Sequence, residues 1–398
     1  MTKKLIISGV GCSLVDNLYN NISFSDNTFS PFLSKQSGDG GLTPGNLVFK
    51  RSFEKFSNKI EKSGIKHIIS NKTPNKVNIG GPGIVSMIHA AQLADKDACQ
   101  FNFYGVRGND VNGNFIMNLL EKTPILVNNY TLSKDETPST VVLSDPTYHN
   151  GNGERIFVNT IGAAWEYGAE NLDPNFFNSD VVVFGGTALT PLIHEDLTQL
   201  LEKSKANDCI TIVNTVYDFK NEMANPTEKW PLGNSDASYQ YIDLLIMDHE
   251  EAIRLSGKSN IAKALEFFIH VGTGAVMITS GTDDVKLYSN GTLFSPLNKV
   301  EMPISSAVSN KLKTEKNTGD TTGCGDNFVG GVIASLVHQI NKENKPYDLT
   351  EACAWGVISG GTTCFYIGGM YEEKHSGDKL KMILPYYKEY KKQIKKDQ

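Results

Sequence analysis

Short apolar runs alternate with stretches of helical pattern through the second half of the chain. Helical stretches at His194–Ala206 and Glu250–Ser256 separate runs that are typical of buried strands. Buried strands separated by helices indicate parallel βαβ units with helices on both faces of the sheet. We therefore predict a three-layer αβα fold of the α/β class, in which a mostly parallel central sheet lies between two layers of helices. The apolar runs are Asp180–Phe184, Cys209–Val213, Asp243–Met247 and Ala275–Thr279.

The N-terminal part of the chain departs from this alternation. Leu5–Gly11 predicts a buried first strand, but residues 17–76 are rich in Asn, Ser, Lys and Gly. Two polar-alternating runs, Ser139–Ser144 and Arg155–Asn159, flank a turn-rich stretch and predict a β-hairpin. Because long insertions after a strand protrude from a sheet, we expect segments 17–76 and 137–160 to form a smaller β lid.

Composition and charge argue against several classes of function. The 398 residues carry 38 basic and 44 acidic side chains, a net charge of −6, so we expect no nucleic-acid or membrane partner. No apolar stretch has the length of a membrane-spanning helix, and we see no signal peptide. The six cysteines are scattered without a C-x-x-C pair, which argues against a zinc site and a disulfide framework. We therefore expect a cytoplasmic protein.

The segment Asn317–Asp326 carries the strongest chemical signal, because its glycines and aspartates run directly into an apolar helix. Gly319, Gly323 and Gly325 let the backbone turn sharply and approach a ligand closely. Unpaired N–H groups at a helix start, with the positive end of the helix dipole, attract phosphate. Asp326 then lies beside an anion cradle. This arrangement suggests a base that deprotonates a hydroxyl while the cradle holds a phosphoryl group.

An aspartate near a helix start often only caps the helix, so a simpler explanation must be weighed. This segment is denser than capping requires, because Asp320, Thr321 and Thr322 place further oxygen atoms next to the cradle. A phosphate-binding loop of the G-x-x-x-x-G-K-[ST] type is absent from the sequence. The chain therefore predicts a different kind of phosphoryl site.

The run Asp320–Asp326 resembles the C-terminal signature of the ribokinase-like (PfkB) carbohydrate kinase family, usually D-T-x-G-A-G-D. The resemblance implies that Asp326 is the catalytic base. It also implies that the backbone amides of Gly323, Cys324 and Gly325 form the anion hole. Cys324 replaces the usual alanine, and we interpret it as a passive small residue rather than a nucleophile.

Further matches to the family pattern concern the substrate. Asp16 corresponds to a substrate-binding aspartate at the end of the first strand, and Gly80 and Gly81 to glycines that approach the sugar. Val85 stands where the family motif G-G-x-x-x-N has its asparagine, so a hydrogen bond to the substrate is missing and an unusual substrate is expected. From the residues alone, a turn-capping role for Asp16 and a helix-entry role for the glycines stay open.

Two other segments resemble the family's metal and nucleotide motifs. Asp248 and Glu251 match N-x-x-E with aspartate in place of asparagine, which implies carboxylates that orient water around Mg²⁺. Acidic residues also favour the first turn of any helix, so a purely structural role is the alternative. Thr279 and Gly281 match the nucleotide loop T-x-G-x-x-G, whose final glycine is Asp284 here.

Looser matches complete the pattern near the C-terminus. Gly356 falls where related chains contact adenine, and Gly368 falls in a monovalent-cation loop whose usual arginine is Tyr366 here. Asp320 and Thr322 are the stronger candidates for ligands of that cation, which in this family would be K⁺.

The resemblance implies that residues 1–398 form a single ribokinase-like α/β kinase domain that binds ATP and Mg²⁺ and phosphorylates a sugar, with a homodimer through the lid as one arrangement. A nucleoside kinase of the adenosine kinase type stays open, since Phe29, Phe32 and Phe49 in the insertion could stack on a base. A third hypothesis, which makes the protein a binding protein rather than an enzyme, is a non-catalytic sugar or nucleotide sensor on the same scaffold.

Overall fold

The computed structural model places most of the chain. The described residues are 4–20, 22–36, 38–60, 64–70, 72–148, 153–314, 319, 321–343 and 345–396.

Strands and helices alternate along the chain. The strands are β1 Leu5–Gly11, β2 Leu14–Tyr19, β3 Leu47–Phe49, β4 Lys76–Gly80, β5 Cys99–Arg107, β6 Ile125–Leu126, β7 Tyr130–Leu132, β8 Ser139–Asp145, β9 Glu154–Thr160, β10 Val181–Gly185, β11 Ile210–Asn214, β12 Leu244–Asp248, β13 Ala275–Thr279, β14 Val285–Ser289 and β15 Leu297–Met302. The helices are α1 Lys50–Lys59, α2 Gly64–Ile69, α3 Pro82–Leu93, α4 Val111–Leu120, α5 Pro191–Glu195, α6 Leu197–Ala206, α7 Phe219–Ala224, α8 His249–Ser256, α9 Ile261–His270, α10 Ser306–Thr314, α11 Cys324–Asn341, α12 Leu349–Thr363 and α13 Asp378–Lys396.

A large, mostly parallel sheet forms the middle layer. Its strand order is β15-β14-β13-β12-β11-β10-β1-β5-β6, with β7 also paired to β5, and among its described strands only β14 runs opposite to the others, so that its pairings with β13 and β15 are antiparallel. The first strand therefore lies between β10 and β5, inside the sheet. Because both faces are covered by helices, β10 is buried along its whole length and reads as one continuous apolar run.

The side chains of each buried strand alternate between two cores. Val181 and Val183 of β10 belong to one core, which α3, α11 and α12 cover. Val182 and Phe184 point to the opposite face, where α6, α8 and α9 pack. This period of two is what a doubly covered strand requires. The three-layer α/β fold predicted from the sequence is confirmed.

A smaller mixed sheet with the order β3-β9-β8-β2-β4 forms the lid. Strands β8 and β9 form the antiparallel hairpin that the sequence predicts. Helix α1 covers the sheet, and its Phe53 joins Phe24, Phe29 and Phe32 in a separate small core. Only Cys12 and Ser13 separate β1 from β2, so the lid leaves the large sheet directly at the carboxyl end of its first strand.

One helix differs from the sequence prediction. The stretch expected as a single helix, His194–Ala206, belongs to two helices that meet at Asp196. Asp196 has φ −86° and ψ 3°, outside the helical range of ψ, which interrupts the regular backbone there. Among the described helices, none is long and apolar enough to cross a membrane.

Candidate active site

The loop that contains Gly319, Gly323 and Gly325, called the glycine loop below, lies at the start of α11, at the carboxyl edge of the large sheet. Gly323 precedes the helix with φ +76°, and a Cβ atom there would lie 2.4 Å from the Cα of Gly369. Glycine is therefore required by both the backbone angle and the packing. No side chain caps the helix, and the amide of Cys324 makes only a long contact of 3.3 Å to the Thr321 carbonyl. The first turn can therefore offer amides to an anion.

Asp326 lies in this first turn and stays partly accessible from the site. The surrounding protein displaces most of the water that would solvate its carboxylate, which raises its pKa to about 6. Its charge also contributes to raising the pKa values of Cys12 and Glu251, so these three side chains are electrostatic neighbours. At neutral pH the carboxylate is ionised and more basic than an ordinary aspartate.

Asp16 lies in β2, at the root of the lid, between Asn78 of β4 and Thr140 of β8. A Cβ atom on Gly80 would lie 2.2 Å from Oδ2 of Asp16, so glycine leaves the room that the carboxylate occupies. Gly81 has φ +102°, and a Cβ atom there would lie 2.7 Å from the carbonyl oxygen of Cys12. The structure thus brings Asp16, Gly80 and Gly81 together.

Cys12 links this group to Asp326. Its buried thiol has a raised pKa, first because of burial and then because of the charges of Asp326 and Asp16. Both carboxylates therefore face one region at the junction of lid and sheet. Val85, expected where the family has asparagine, is buried and packs toward Gly369.

Asp248 and Glu251 form a reciprocal capping box at the start of α8. The Asp248 carboxylate accepts from the amide of Glu251 at 2.8 Å, and the Glu251 carboxylate accepts from the amide of Asp248 at 3.0 Å. The hydroxyl of Thr215 also donates to Glu251, at 2.6 Å. Burial, and next the charge of Asp248, raises the pKa of Glu251 to about 8. The helix-capping role that the sequence left open is present, while Asp248 is exposed toward solvent.

A cavity of about 320 Å³ adjoins the glycine loop. Thr279 and Gly281, expected from the sequence, line it on one side. Its apolar wall comes from α10, α11 and α12, and the wall residues are Val308, Leu312, Phe328 and Val357. Gly356 does not line the cavity: it packs against Phe328 and Val332, and Gly360 and Gly361 reach the cavity one turn later.

The predicted cation ligands are only partly described. Asp320 lies outside the described residues, so its expected role stays a prediction. Thr322 is described, and its hydroxyl accepts a hydrogen bond from Nη1 of Arg155 at 2.9 Å. Gly368 has φ +87° and lies against Asn78 of the lid strand β4, so this loop also contacts the lid.

Two residues at the site were missed by the sequence analysis. Arg155 reaches from lid strand β9 to the glycine loop, although nothing in its local sequence distinguishes it from a solvent-facing strand residue. Asn214 ends β11 at the carboxyl edge, is 3% exposed, and its Oδ1 has no hydrogen-bond partner among the described residues. A polar residue that directly follows a buried parallel strand is the signal that could have identified it.

Comparisons with known proteins agree with this geometry. A family model described as pfkB family carbohydrate kinase matches residues 61–375. The structure is similar to a ribokinase from Thermotoga maritima, with a TM-score of 0.63 and 19% identity over 96% of this chain and 99% of that one. It is similar to an adenosine kinase from Sinorhizobium meliloti, with a TM-score of 0.67 and 16% identity over 96% and 99%.

A third solved structure carries ligands. It is a putative ribokinase II from E. coli in complex with ATP and Mg²⁺, with a TM-score of 0.62 and 15% identity over 97% of this chain and 99% of that one. At such identities the structures establish the ribokinase-like fold, while the family model covers most of the chain. The protein belongs to the pfkB family of carbohydrate kinases.

Proposed function

We propose that the protein transfers the γ-phosphoryl group of ATP to a hydroxyl of a carbohydrate. One observation carries the proposal. The Asp326 carboxylate, whose pKa is raised, lies in the first turn of the uncapped helix α11, between a nucleotide-sized cavity and the cluster of Asp16, Gly80 and Gly81. A kinase needs this combination, because base, anion-binding amides and acceptor must meet at one point.

In the proposed reaction Asp326 accepts the proton of the acceptor hydroxyl. The hydroxyl oxygen forms a bond to the γ-phosphorus as the bond to the β,γ-bridging oxygen breaks, and ADP leaves. The amides of Gly323, Cys324 and Gly325 stabilise charge on the transferring oxygens, and each such donor contributes on the order of 3 kcal/mol in comparable sites. Asp16, Gly80 and Gly81 hold the sugar beneath the lid.

The nucleotide and its metal fit the residues present. ATP would occupy the cavity beside Thr279 and Gly281, with its base against the apolar wall and its phosphates toward α11. Asp248 and Glu251 offer only oxygen atoms, which suits Mg²⁺ held partly through water. When bound, Mg²⁺ would neutralise phosphate charge, and it would also favour the ionised form of Glu251.

A panel of candidate acceptors tests this proposal directly. ADP release should be measured with hexoses, keto-sugars, sugar acids and nucleosides, using Asp326→Asn as the blank. We expect turnover with a carbohydrate, because Phe29 and Phe32 lie in the core of the lid and are not placed to stack on a nucleobase. Turnover with nucleosides alone would replace the sugar assignment, and sugar binding without turnover under any metal would favour a sensor.

The pH profile should report the raised pKa of Asp326. Only the ionised carboxylate can accept a proton, so kcat/KM should fall about tenfold per pH unit as the pH drops below about 6. An aspartate of ordinary pKa would place this acid limb near pH 4. Rates measured from pH 4.5 to 8 with a saturating metal would separate the two cases, and a flat profile down to pH 5 would contradict the assignment.

Arg155 should couple the lid to the glycine loop. We expect Arg155→Met to lower kcat/KM by about 10–100-fold, because the lid loses its hydrogen bond to Thr322 and the loop loses an adjacent positive charge. Lys50→Met is the matched control, since Lys50 pairs with Glu136 in an exposed salt bridge of the lid. Equal kinetics for the two variants would remove Arg155 from the site.

A further inference from the structure

The amino group of a lysine is completely buried at the start of α13. Lys379 is 0% exposed, and its Nζ lies 4.3 Å from the ring centroid of Tyr366 and 5.1 Å from that of Tyr371. Burial lowers its pKa well below the usual range, and the charge of Glu373 only partly opposes this. The Glu373 carboxylate accepts a hydrogen bond from the backbone amide of Lys379 at 2.8 Å. A buried amino group is costly, and packing alone would be served by an apolar side chain.

Hydrogen bonds connect this amino group to the glycine loop. Nζ of Lys379 donates to the hydroxyl of Tyr366, which donates to Oδ1 of Asn327 at 3.2 Å. Nδ2 of Asn327 then donates to two backbone carbonyls, that of Gly323 at 2.8 Å and that of Gly369 at 2.6 Å. The chain of contacts thus begins in the C-terminal helix and ends at the residue that opens α11.

The two glycines at the end of this series of hydrogen bonds determine where the anion-binding amides point. Gly323 is the residue before the first turn of α11, and Gly369 is the residue against which it packs. Asn327 directly follows Asp326, so the same contacts also fix the position of the base. A displacement of about 1 Å at such a site can reduce turnover by about 10²-fold.

Two other titratable side chains lie close to Lys379. His89 of α3 is buried beside Asn327, and burial, with a smaller contribution from Lys379, lowers its pKa well below the usual range, so His89 is neutral. Cys324, the first residue of α11, is an electrostatic neighbour of Lys379. The buried amino group therefore lies directly behind the anion-binding turn.

We propose that Lys379 is a positioning residue for phosphoryl transfer, acting through Tyr366 and Asn327 to hold the loop of Gly323 in its anion-binding geometry. The inference rests on the proposed function, because it assigns the loop to the transferring phosphoryl group. It identifies the start of the C-terminal helix as a part of the phosphoryl-transfer machinery that touches neither nucleotide nor acceptor.

The test compares Lys379→Met and Tyr366→Phe with the wild type. Methionine can fill the space between the two rings, and the phenylalanine loses only a hydroxyl, so both variants should fold. We expect kcat to fall about 10–100-fold, with the KM for ATP within about threefold and little change in Tm. The double variant should be no slower than the slower single variant, because both changes break the same chain of contacts. Tyr371→Phe removes a hydroxyl from the neighbouring ring and should retain full activity.

Hydrogen exchange of the peptide spanning 321–330 gives a readout independent of turnover. Both variants should lose amide protection there, while Tyr371→Phe should not. A fall in Tm with unchanged kcat would assign Lys379 a structural role only and overturn the inference, as would unchanged exchange. Absence of turnover in the wild type would instead contradict the proposed function, and the exchange measurement would still decide whether Lys379 holds the loop.

Discussion

Replacing Asp326 with Asn is expected to lower phosphotransfer by about 10³-fold or more while ATP binding persists. The change keeps the size of the side chain but removes the proton acceptor from the first turn of α11. The nucleotide cavity is lined by other residues, so its affinity should change little. ADP release with the best acceptor of the panel measures the first effect, and calorimetric titration with ATP measures the second.

The same variant should be at least as stable as the wild type at neutral pH. The folded-state pKa of Asp326 is raised, so ionisation of this group costs folding free energy as the pH rises from about 4 to about 6. Asparagine carries no charge, and it can recover up to about 3 kcal/mol of that cost, less to the extent that water reaches the carboxylate. Asp284→Asn, on an exposed carboxylate, is the control. An Asp326→Asn enzyme with near-normal turnover would exclude Asp326 as the base.

Gly323→Ala is expected to be the most damaging change in the loop, with turnover lowered by about 10²-fold or more. The new Cβ would meet the Cα of Gly369 at 2.4 Å, so one of the two backbone segments must move. The left-handed backbone angle adds about 1–2 kcal/mol of strain. Initial rates at saturating ATP, together with thermal unfolding, measure the two consequences.

Gly377→Ala separates these two effects. Gly377 has φ +87°, and a Cβ atom there would meet nothing within 4 Å. It should therefore show the backbone strain as a lower Tm and leave turnover unchanged. If both variants lost activity equally, strain and reduced stability would explain the result, and the packing of the loop against Gly369 would have no special part in it.

Much of the fold follows from the sequence because its determinants are local. The continuous apolar run of β10 and the apolar pattern of α11 are both visible in short windows, and both elements were predicted correctly. The division of one predicted helix at Asp196 was not predicted, because the residue types there give no distinct signal of the backbone angle. The order of the strands also needs pairings over long sequence distances, such as that of β1 with β10.

The site was harder to predict from the sequence, because several of its residues come together from distant parts of the chain. Gly323, Gly325 and Asp326 are contiguous, so one motif predicts them together. Arg155 and Asn214 reach the same region from other parts of the chain, and their neighbours become known only once the lid and sheet are assembled. Lys379 is a further example, since a lysine near a basic terminal helix gives no indication that it is buried.

The order of these elements along the chain has a consequence for biosynthesis. Every described strand is complete by Met302, yet the proposed base and the anion-binding loop follow it. Helices α11 and α12, which together with α3 cover one face of the sheet, are also synthesised after the strands. At typical elongation rates that face stays only partly covered for on the order of several seconds after the last strand has been made. A growing chain therefore has its sheet before it has the proposed catalytic residues, and it passes through an interval in which chaperones have an apolar surface to protect.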